Sequence, residues 1–168
     1  LKRIAASMAN SNSKFTRRSS AEQVTEGIDL NGKIVLITGV NSGLGFESMR
    51  VLSMRGAHII AAARSLAKAE QACVEVKALV QGATMTPVAC ELSEPESVLA
   101  CVRSVKEKFT MIDVLMANAG IMSPSTLQIA SGYAQSLEMQ FAANHLGHFL
   151  LINHLLPQLK KAQQGRIV

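Results

Sequence analysis

The sequence is poor in cysteine, in aromatic residues and in long apolar runs, and these absences exclude several classes of protein. Its three cysteines, Cys73, Cys90 and Cys101, are odd in number and have no Cys-x-x-Cys spacing. We therefore expect buried free thiols rather than a disulfide framework, as in an intracellular, cytoplasmic protein. No apolar run approaches the ~18 residues of a membrane helix, so the sequence predicts no membrane span.

Acidic residues are absent from the first 21 positions, although the whole chain carries a net charge of +5. Five basic residues precede the first acidic one, Glu22: Lys2, Arg3, Lys14, Arg17 and Arg18. The remaining charges balance, so the basic character belongs to a serine-rich tail, residues 1–21, and we predict no nucleic-acid binding. A transit peptide for organelle targeting has a similar composition and is the alternative to a solvated tail. Residues 22–168 are predicted to form one domain.

A short apolar run, a cluster of glycines and a helical pattern follow one another near the start of this domain. Ile34–Ile37 is apolar and rich in β-branched residues, which predicts a strand buried on both faces. Gly39, Gly43 and Gly45 follow within one tight turn, and the apolar residues after them recur at helical spacing. A glycine turn between a strand and a helix presents free backbone N–H groups to an anion. We therefore predict a nucleotide diphosphate site in this turn.

The spacing of these glycines, TGVNSGLG at Thr38–Gly45, resembles the short-chain dehydrogenase/reductase family. NHLGHF at Asn144–Phe149 is most similar to retinol-dehydrogenase-type members of that family. SAEQVTEGIDL at Ser20–Leu30 resembles a subgroup that includes the short-chain dehydrogenase of the chloroplast import translocon. The resemblance implies a nicotinamide cofactor bound at the loop by Gly39, Asn41, Ser42, Gly43, Leu44 and Gly45.

Strand and helix patterns alternate along residues 34–168, which predicts a doubly wound, Rossmann-type α/β fold with parallel strand order 3-2-1-4-5. The third strand contains Pro87, which lacks a ladder donor and therefore predicts an edge strand. We predict a long apolar helix at Gly132–Lys161 and a fifth strand beginning at Arg166, where we interpret the sequence as truncated. We then expect exposed apolar side chains on the fourth strand and the long helix: Leu115, Phe149, Leu150 and Leu151.

Arg64 follows the second predicted strand, His58–Ala63, about 20 residues after the glycine turn, where dinucleotide-binding folds distinguish the two nicotinamide cofactors. An acidic residue there would bind a ribose 2′-hydroxyl, whereas a guanidinium suits a 2′-phosphate through charge-assisted, forked hydrogen bonds. A solvated arginine at the end of a strand is the alternative interpretation. The sequence therefore favours NADP over NAD.

Three further segments match motifs of the family. Glu91 and Leu92 stand where the family usually has Asp-Leu or Asp-Val near the adenine; alternatively, Glu91 is an acid at a helix entry. Asn118-Ala119-Gly120 resembles the N-A-G motif, which steadies the central sheet and lines the cofactor cleft. Asn144 matches the asparagine of the family's catalytic Asn-Ser-Tyr-Lys tetrad, where it holds a water of the proton relay.

The serine, tyrosine and lysine of that tetrad have no counterpart in the 168 residues. The only tyrosine, Tyr133, precedes Asn144 and has no lysine four positions on. The resemblance implies the cofactor-binding half of an NADP-dependent oxidoreductase for a small carbonyl or alcohol substrate, with a homo-oligomer expected at full length. A truncated, non-catalytic dinucleotide-binding or regulatory module is the alternative. His145, His148 and His154 lack carboxylate or thiol partners at ligand spacing, so we predict no metal site.

Overall fold

The structure, a computed structural model, describes residues 15–122 and 124–168. The strands are β1 Ile34–Thr38, β2 His58–Ala63, β3 Met85–Ala89, β4 Val114–Met116, β5 Ile129–Ala130, β6 Leu137–Glu138 and β7 Arg166–Ile167. Five of them form a parallel sheet in the order β3-β2-β1-β4-β7, and β5 and β6 form a separate antiparallel hairpin. The helices are α1 Ala21–Val24, α2 Gly43–Met54, α3 Leu66–Leu79, α4 Pro95–Lys108, a π-helix at Phe141–Gly147, and α5 His148–Leu159.

The predicted α/β fold and strand order are confirmed, because β7 is the fifth strand of the parallel sheet. Helices cover both faces of the inner strands, and successive side chains of a strand point to opposite faces. In β1, Val35 and Ile37 pack with α2 and α3, whereas Leu36 packs with α4 and α5. Pro87 lies in β3 at the edge of the sheet, as the sequence predicts.

The predicted helix at Gly132–Lys161 is wrong at its start, over residues 132–138. Residues 129–138 form the β5–β6 hairpin instead, and the helical segment starts at residue 139 and is a π-helix over Phe141–Gly147. The hairpin turn packs on the start of α4, because a Cβ added at Gly132 would lie 2.7 Å from Cδ of Pro95. This contact joins positions nearly 40 residues apart, so it leaves no local periodicity in the sequence.

The expected exposure of apolar side chains is also wrong in part. Leu115 and Leu151 are fully buried, Leu150 is half-buried, and Phe149 alone of the four is exposed. Leu115 lies in β4 between β1 and β7, and Leu151 packs in the same cluster from α5. The sheet and its helices therefore bury these positions within the residues present.

Two sequence predictions concern the chain as a whole. In the described part of the chain, no helix has the length and hydropathy required to cross a bilayer. Most of the predicted basic tail, residues 1–14, lies outside the described residues.

A buried carboxylate joins the starts of β1 and β4. Asp113 accepts hydrogen bonds from the Ile34 N–H and from Nζ of Lys33, both at 2.9 Å. We expect Asp113→Asn to lower the free energy of unfolding by about 2 kcal/mol, because asparagine has one acceptor oxygen where the carboxylate has two. Lys33→Met should lower the free energy of unfolding by less than half as much, since the Lys33 side chain is 46% exposed and its charge is screened by water. If urea unfolding gave equal losses of free energy for the two variants, this account of the Asp113 contacts would be contradicted.

Candidate functional site

The glycine turn after β1 requires glycine at its first position. Gly39 has φ of +73°, and a Cβ there would lie 2.9 Å from Cα of Ala119. A larger residue at Gly39 would therefore be strained and would also collide with the segment after β4. This close approach brings the ends of β1 and β4 together at one edge of the sheet.

Gly45 lets the first turn of α2 pack directly against the preceding loop. A Cβ at Gly45 would overlap the carbonyl oxygen of Gly39 and would lie 2.5 Å from Nδ2 of Asn118. The first N–H groups of α2 have no intrahelical partner, and the side chain of Ser42, the N-cap residue, does not bond to them. The start of α2 therefore presents backbone donors and the positive end of a helix dipole.

A cleft of about 390 Å³ opens at the carboxyl ends of the strands, beside this turn. Twelve of the thirteen site residues predicted from the sequence line it: Gly39, Asn41, Ser42, Leu44, Gly45, Arg64, Glu91, Leu92, Asn118, Ala119, Gly120 and Asn144. Gly43, the remaining one, lies at the first position of α2 with φ of +57° and is not part of the lining. The structure thus brings residues that are up to 105 positions apart into one site.

Sequence reasoning missed four lining residues: Ala63, Cys90, Ile121 and Ala143. Ala63 and Cys90 follow the same rule as their neighbours, since each lies at the carboxyl end of a strand, and could have been predicted on that basis. The hydrogen bond with Cys101, together with burial, raises the pKa of the Cys90 thiol far above its usual range. Cys90 is therefore a protonated, inert part of the wall.

Thr38 and Asn118 hold the two strand ends together. The Asn118 amide donates to the Thr38 carbonyl at 2.9 Å, so it ties β4 to β1 in the way the motif implies. The Thr38 hydroxyl accepts from the Ala119 N–H at 3.0 Å. Sequence reasoning gave Thr38 no role, although it is buried and directly precedes the glycine turn.

The Asn144 side chain bonds to the main chain of the segment after β4. Its Oδ1 accepts from the Ile121 N–H at 2.9 Å, and its Nδ2 donates to the Ile121 carbonyl at 2.8 Å. Asn144 lies in the π-helix, a form of helix that is frequent at functional sites. The two bonds set the distance between the π-helix and the loop that begins at Asn118.

Arg64 and Glu91 are the two charged residues among those that line the cleft. Arg64 is exposed, and within residues 15–122 and 124–168 it forms no ion pair. Glu91 differs, because its Oε1 accepts from both the N–H and the hydroxyl of Ser93, at 3.1 and 2.8 Å. One oxygen of Glu91 is thus engaged at the entry to α4, which favours the helix-entry interpretation of this acid.

The sequence profile of the family described as short chain dehydrogenase matches residues 33–168. The chain belongs to this family. Among curated short-chain dehydrogenases, "Short-chain dehydrogenase TIC 32 B, chloroplastic" of Brassica napus is 36% identical, over 93% of this chain and 49% of the relative. Retinol dehydrogenase 12 of Bos taurus is also 36% identical, over 84% of this chain and 43% of the relative. The chain spans about half the length of these relatives.

Two solved oxidoreductase structures have the same fold. L-Sorbose reductase of Gluconobacter frateurii, complexed with NADPH and L-sorbose, superimposes with a TM-score of 0.68 and 26% identity, over 83% of this chain and 52% of the other. A metagenomic short-chain oxidoreductase in complex with NADP gives a TM-score of 0.66 and 26% identity, over 82% of this chain and 61% of the other.

Tyr133 does not have the surroundings of a short-chain dehydrogenase acid. It lies in the β5–β6 hairpin rather than in a helix, and Leu137 occupies the position where the family's motif requires lysine. Burial raises the pKa of Tyr133 above its usual value, whereas an acid–base catalyst needs a pKa near the working pH. In the described part of the chain, no group of three or more His, Cys, Asp and Glu side chains is arranged to hold a metal ion.

Proposed function

We propose that this chain is the cofactor-binding half of an NADP-dependent oxidoreductase that transfers a hydride between nicotinamide and a small carbonyl or alcohol substrate. The observation that carries the proposal is the cleft, where the glycine turn, the uncapped start of α2, Arg64 and the Asn118-Ala119-Gly120 segment converge. Its backbone donors and the Arg64 guanidinium fit the phosphates of a dinucleotide. Glycine at positions 39 and 45 preserves the shape of the turn, because a Cβ at either would collide with neighbouring protein atoms.

Each part of the cleft has a role in this proposal. The glycine turn, Gly39 to Gly45, binds the diphosphate, and Leu92 contacts the adenine beside Glu91, whose Oε1 is held by Ser93. Asn118-Ala119-Gly120 lines the nicotinamide side, and Asn144 holds a water for proton transfer. When bound, the cofactor supplies or accepts the hydride.

Arg64 supports NADP in preference to NAD. It is the one cation among the described residues that line the cleft, and it directly follows β2, where ribose recognition occurs in this fold. No carboxylate of the described residues occupies it, so its guanidinium is available for a 2′-phosphate. The two solved relatives described above are themselves complexes with NADPH or NADP.

The second candidate is a dinucleotide-binding or regulatory module without catalysis. The absence of a Tyr-x-x-x-Lys pair from the 168 residues favours it. The two candidates differ in what a longer open reading frame would encode beyond Val168. A serine soon after the fifth strand, followed by Tyr-x-x-x-Lys, supports the oxidoreductase, and an extension without them supports the module.

We expect the 168-residue chain to bind NADPH more tightly than NADH and to oxidise neither with aldehydes or ketones. Binding needs only the cleft, whereas carbonyl reduction also needs a positioned acid, worth about 10²–10⁴-fold in rate. Calorimetric titration with each cofactor measures the first expectation, and absorbance of the reduced nicotinamide measures the second. Absence of NADPH binding, or turnover by this chain, would contradict the proposal.

The domain and location are proposed on the same basis. We propose that residues 22–168 form the nucleotide-binding domain and residues 1–21 a separate tail, and that the full-length protein is a homo-oligomer. For location, the sequence favours the cytoplasm, whereas the Brassica napus relative is described as chloroplastic. Fluorescent fusions with and without residues 1–21 distinguish the two locations.

A further inference from the structure

His148 lies between the π-helix and the end of β1, beneath the cleft, and sequence reasoning considered it only as a metal ligand. Its ring is buried, with 6% of the residue exposed. Nδ1 lies 3.0 Å from the Asn144 carbonyl oxygen, and Nε2 lies 2.9 Å from Oγ1 of Thr38. The ring therefore links Asn144, whose side chain binds Ile121, to Thr38, whose hydroxyl binds Ala119.

The partners of the ring determine its tautomer. A carbonyl oxygen can only accept, so Nδ1 carries the hydrogen and donates to Asn144. Burial lowers the pKa of His148, while the bond to Asn144 opposes that shift, so the ring is neutral near pH 7. The Thr38 hydroxyl has one hydrogen, and Nε2 of the neutral ring accepts it at 2.9 Å, closer than the Met116 carbonyl oxygen at 3.3 Å; the same hydroxyl oxygen accepts from the Ala119 N–H.

These bonds form one continuous path between the two walls of the cleft. On one side, Asn144 binds the main chain of Ile121 with its side chain and the His148 ring with its carbonyl. On the other side, Thr38 holds Ala119, beside the glycine turn. A change at His148 therefore alters both walls, although the ring itself does not line the cleft.

We propose that His148 is a positioning residue of the cofactor cleft, which sets the place of Asn144 relative to Ala119 through its two hydrogen bonds. The inference rests on the proposed binding of NADP(H), and it predicts a tautomer that does not depend on that binding. Metal ligation by this ring is a different role, and in the described chain no suitable group of ligands surrounds it.

The tautomer is tested by nitrogen NMR of the ¹⁵N-histidine-labelled chain at neutral pH, without cofactor. We expect a protonated Nδ1 and an unprotonated Nε2 for His148, assigned by its loss in His148→Asn. The exposed His154 is the control, because solvated histidines favour the opposite tautomer. Protonation of Nε2 in His148 would overturn the proposal whether or not the chain binds NADPH.

Two variants separate positioning from simple packing. His148→Leu keeps an apolar filler and removes both hydrogen bonds, and we expect NADPH binding to weaken about tenfold. His148→Asn should weaken NADPH binding only about threefold, because an asparagine in this helix can still donate to the carbonyl four residues earlier. Asn153 makes that same bond to Phe149, at 2.7 Å. His154→Gln should bind as the parent does.

The order of the two variants decides the outcome. If His148 only fills space, leucine would bind NADPH at least as well as asparagine, because a buried amide packs worse than an apolar side chain. Such an order, in variants shown to be folded by circular dichroism, would overturn the proposal. Failure of the parent chain to bind NADPH would instead contradict the proposed function, and the tautomer would still test His148.

Discussion

Replacing Gly45 by alanine is expected to weaken NADPH binding about 100-fold or more, the largest effect we predict for one methyl group. The added Cβ would overlap the carbonyl oxygen of Gly39 and would approach Nδ2 of Asn118 to 2.5 Å. The first of these contacts is backbone, so the glycine turn must move to relieve it. A shift of ~1 Å in a binding loop costs interactions of this size, because its N–H groups no longer point at the anion.

The stability of the fold should fall as well, by about 1–3 kcal/mol, as for other overpacked positions. Gly82→Ala is the matched control, since Gly82 has φ of +78° and nothing lies within 4 Å of an added Cβ. Gly82→Ala should lower the free energy of unfolding by about 1 kcal/mol, because alanine is strained in the left-handed conformation, and it should bind NADPH normally because residue 82 does not line the cleft. Calorimetry and urea unfolding measure both quantities. Normal binding by Gly45→Ala would show that the turn does not contact the cofactor.

The parts of the fold that could be predicted are those whose signals are local. Ile34–Thr38 and His58–Ala63 are short apolar runs bounded by turn residues, and both strands occur where the sequence predicts them. The sheet order follows from the alternation of strands and helices, since right-handed crossovers leave few arrangements. The cleft follows in turn, because carboxyl ends of neighbouring parallel strands meet at one edge.

The parts that could not be predicted depend on contacts between distant residues. Apolar residues after Gly132 suit a helix, yet the β5–β6 pairing and the contact of the turn with Pro95 favour a hairpin. The π-helix has no distinct sequence period, and its position is set by the bonds between Asn144 and Ile121. The link from His148 to Thr38 spans 110 positions and is equally absent from any local pattern.

Arg64→Asp is expected to reverse the cofactor preference of the chain. Loss of a charge-assisted, forked bond to the 2′-phosphate, with a like charge added, should weaken NADPH binding by roughly 2–4 kcal/mol, which is about 30-fold or more. NADH should bind more tightly, because a carboxylate at the end of β2 can accept from the ribose 2′-hydroxyl. Titration of the variant with both cofactors measures the change in the ratio of their dissociation constants.

We expect Arg64→Asp to remain folded with little loss of stability. Arg64 is exposed and directly precedes Ser65, the N-cap of α3, where a negative charge is favourable with respect to the helix dipole. Arg103→Asp is the matched control, since it makes the same charge change at an exposed position of α4 away from the cleft lining. It should alter NADPH binding only slightly, and less at high salt. If Arg64→Asp left the preference for NADPH over NADH unchanged, Arg64 would be a solvated strand-end arginine and the basis for NADP would be lost.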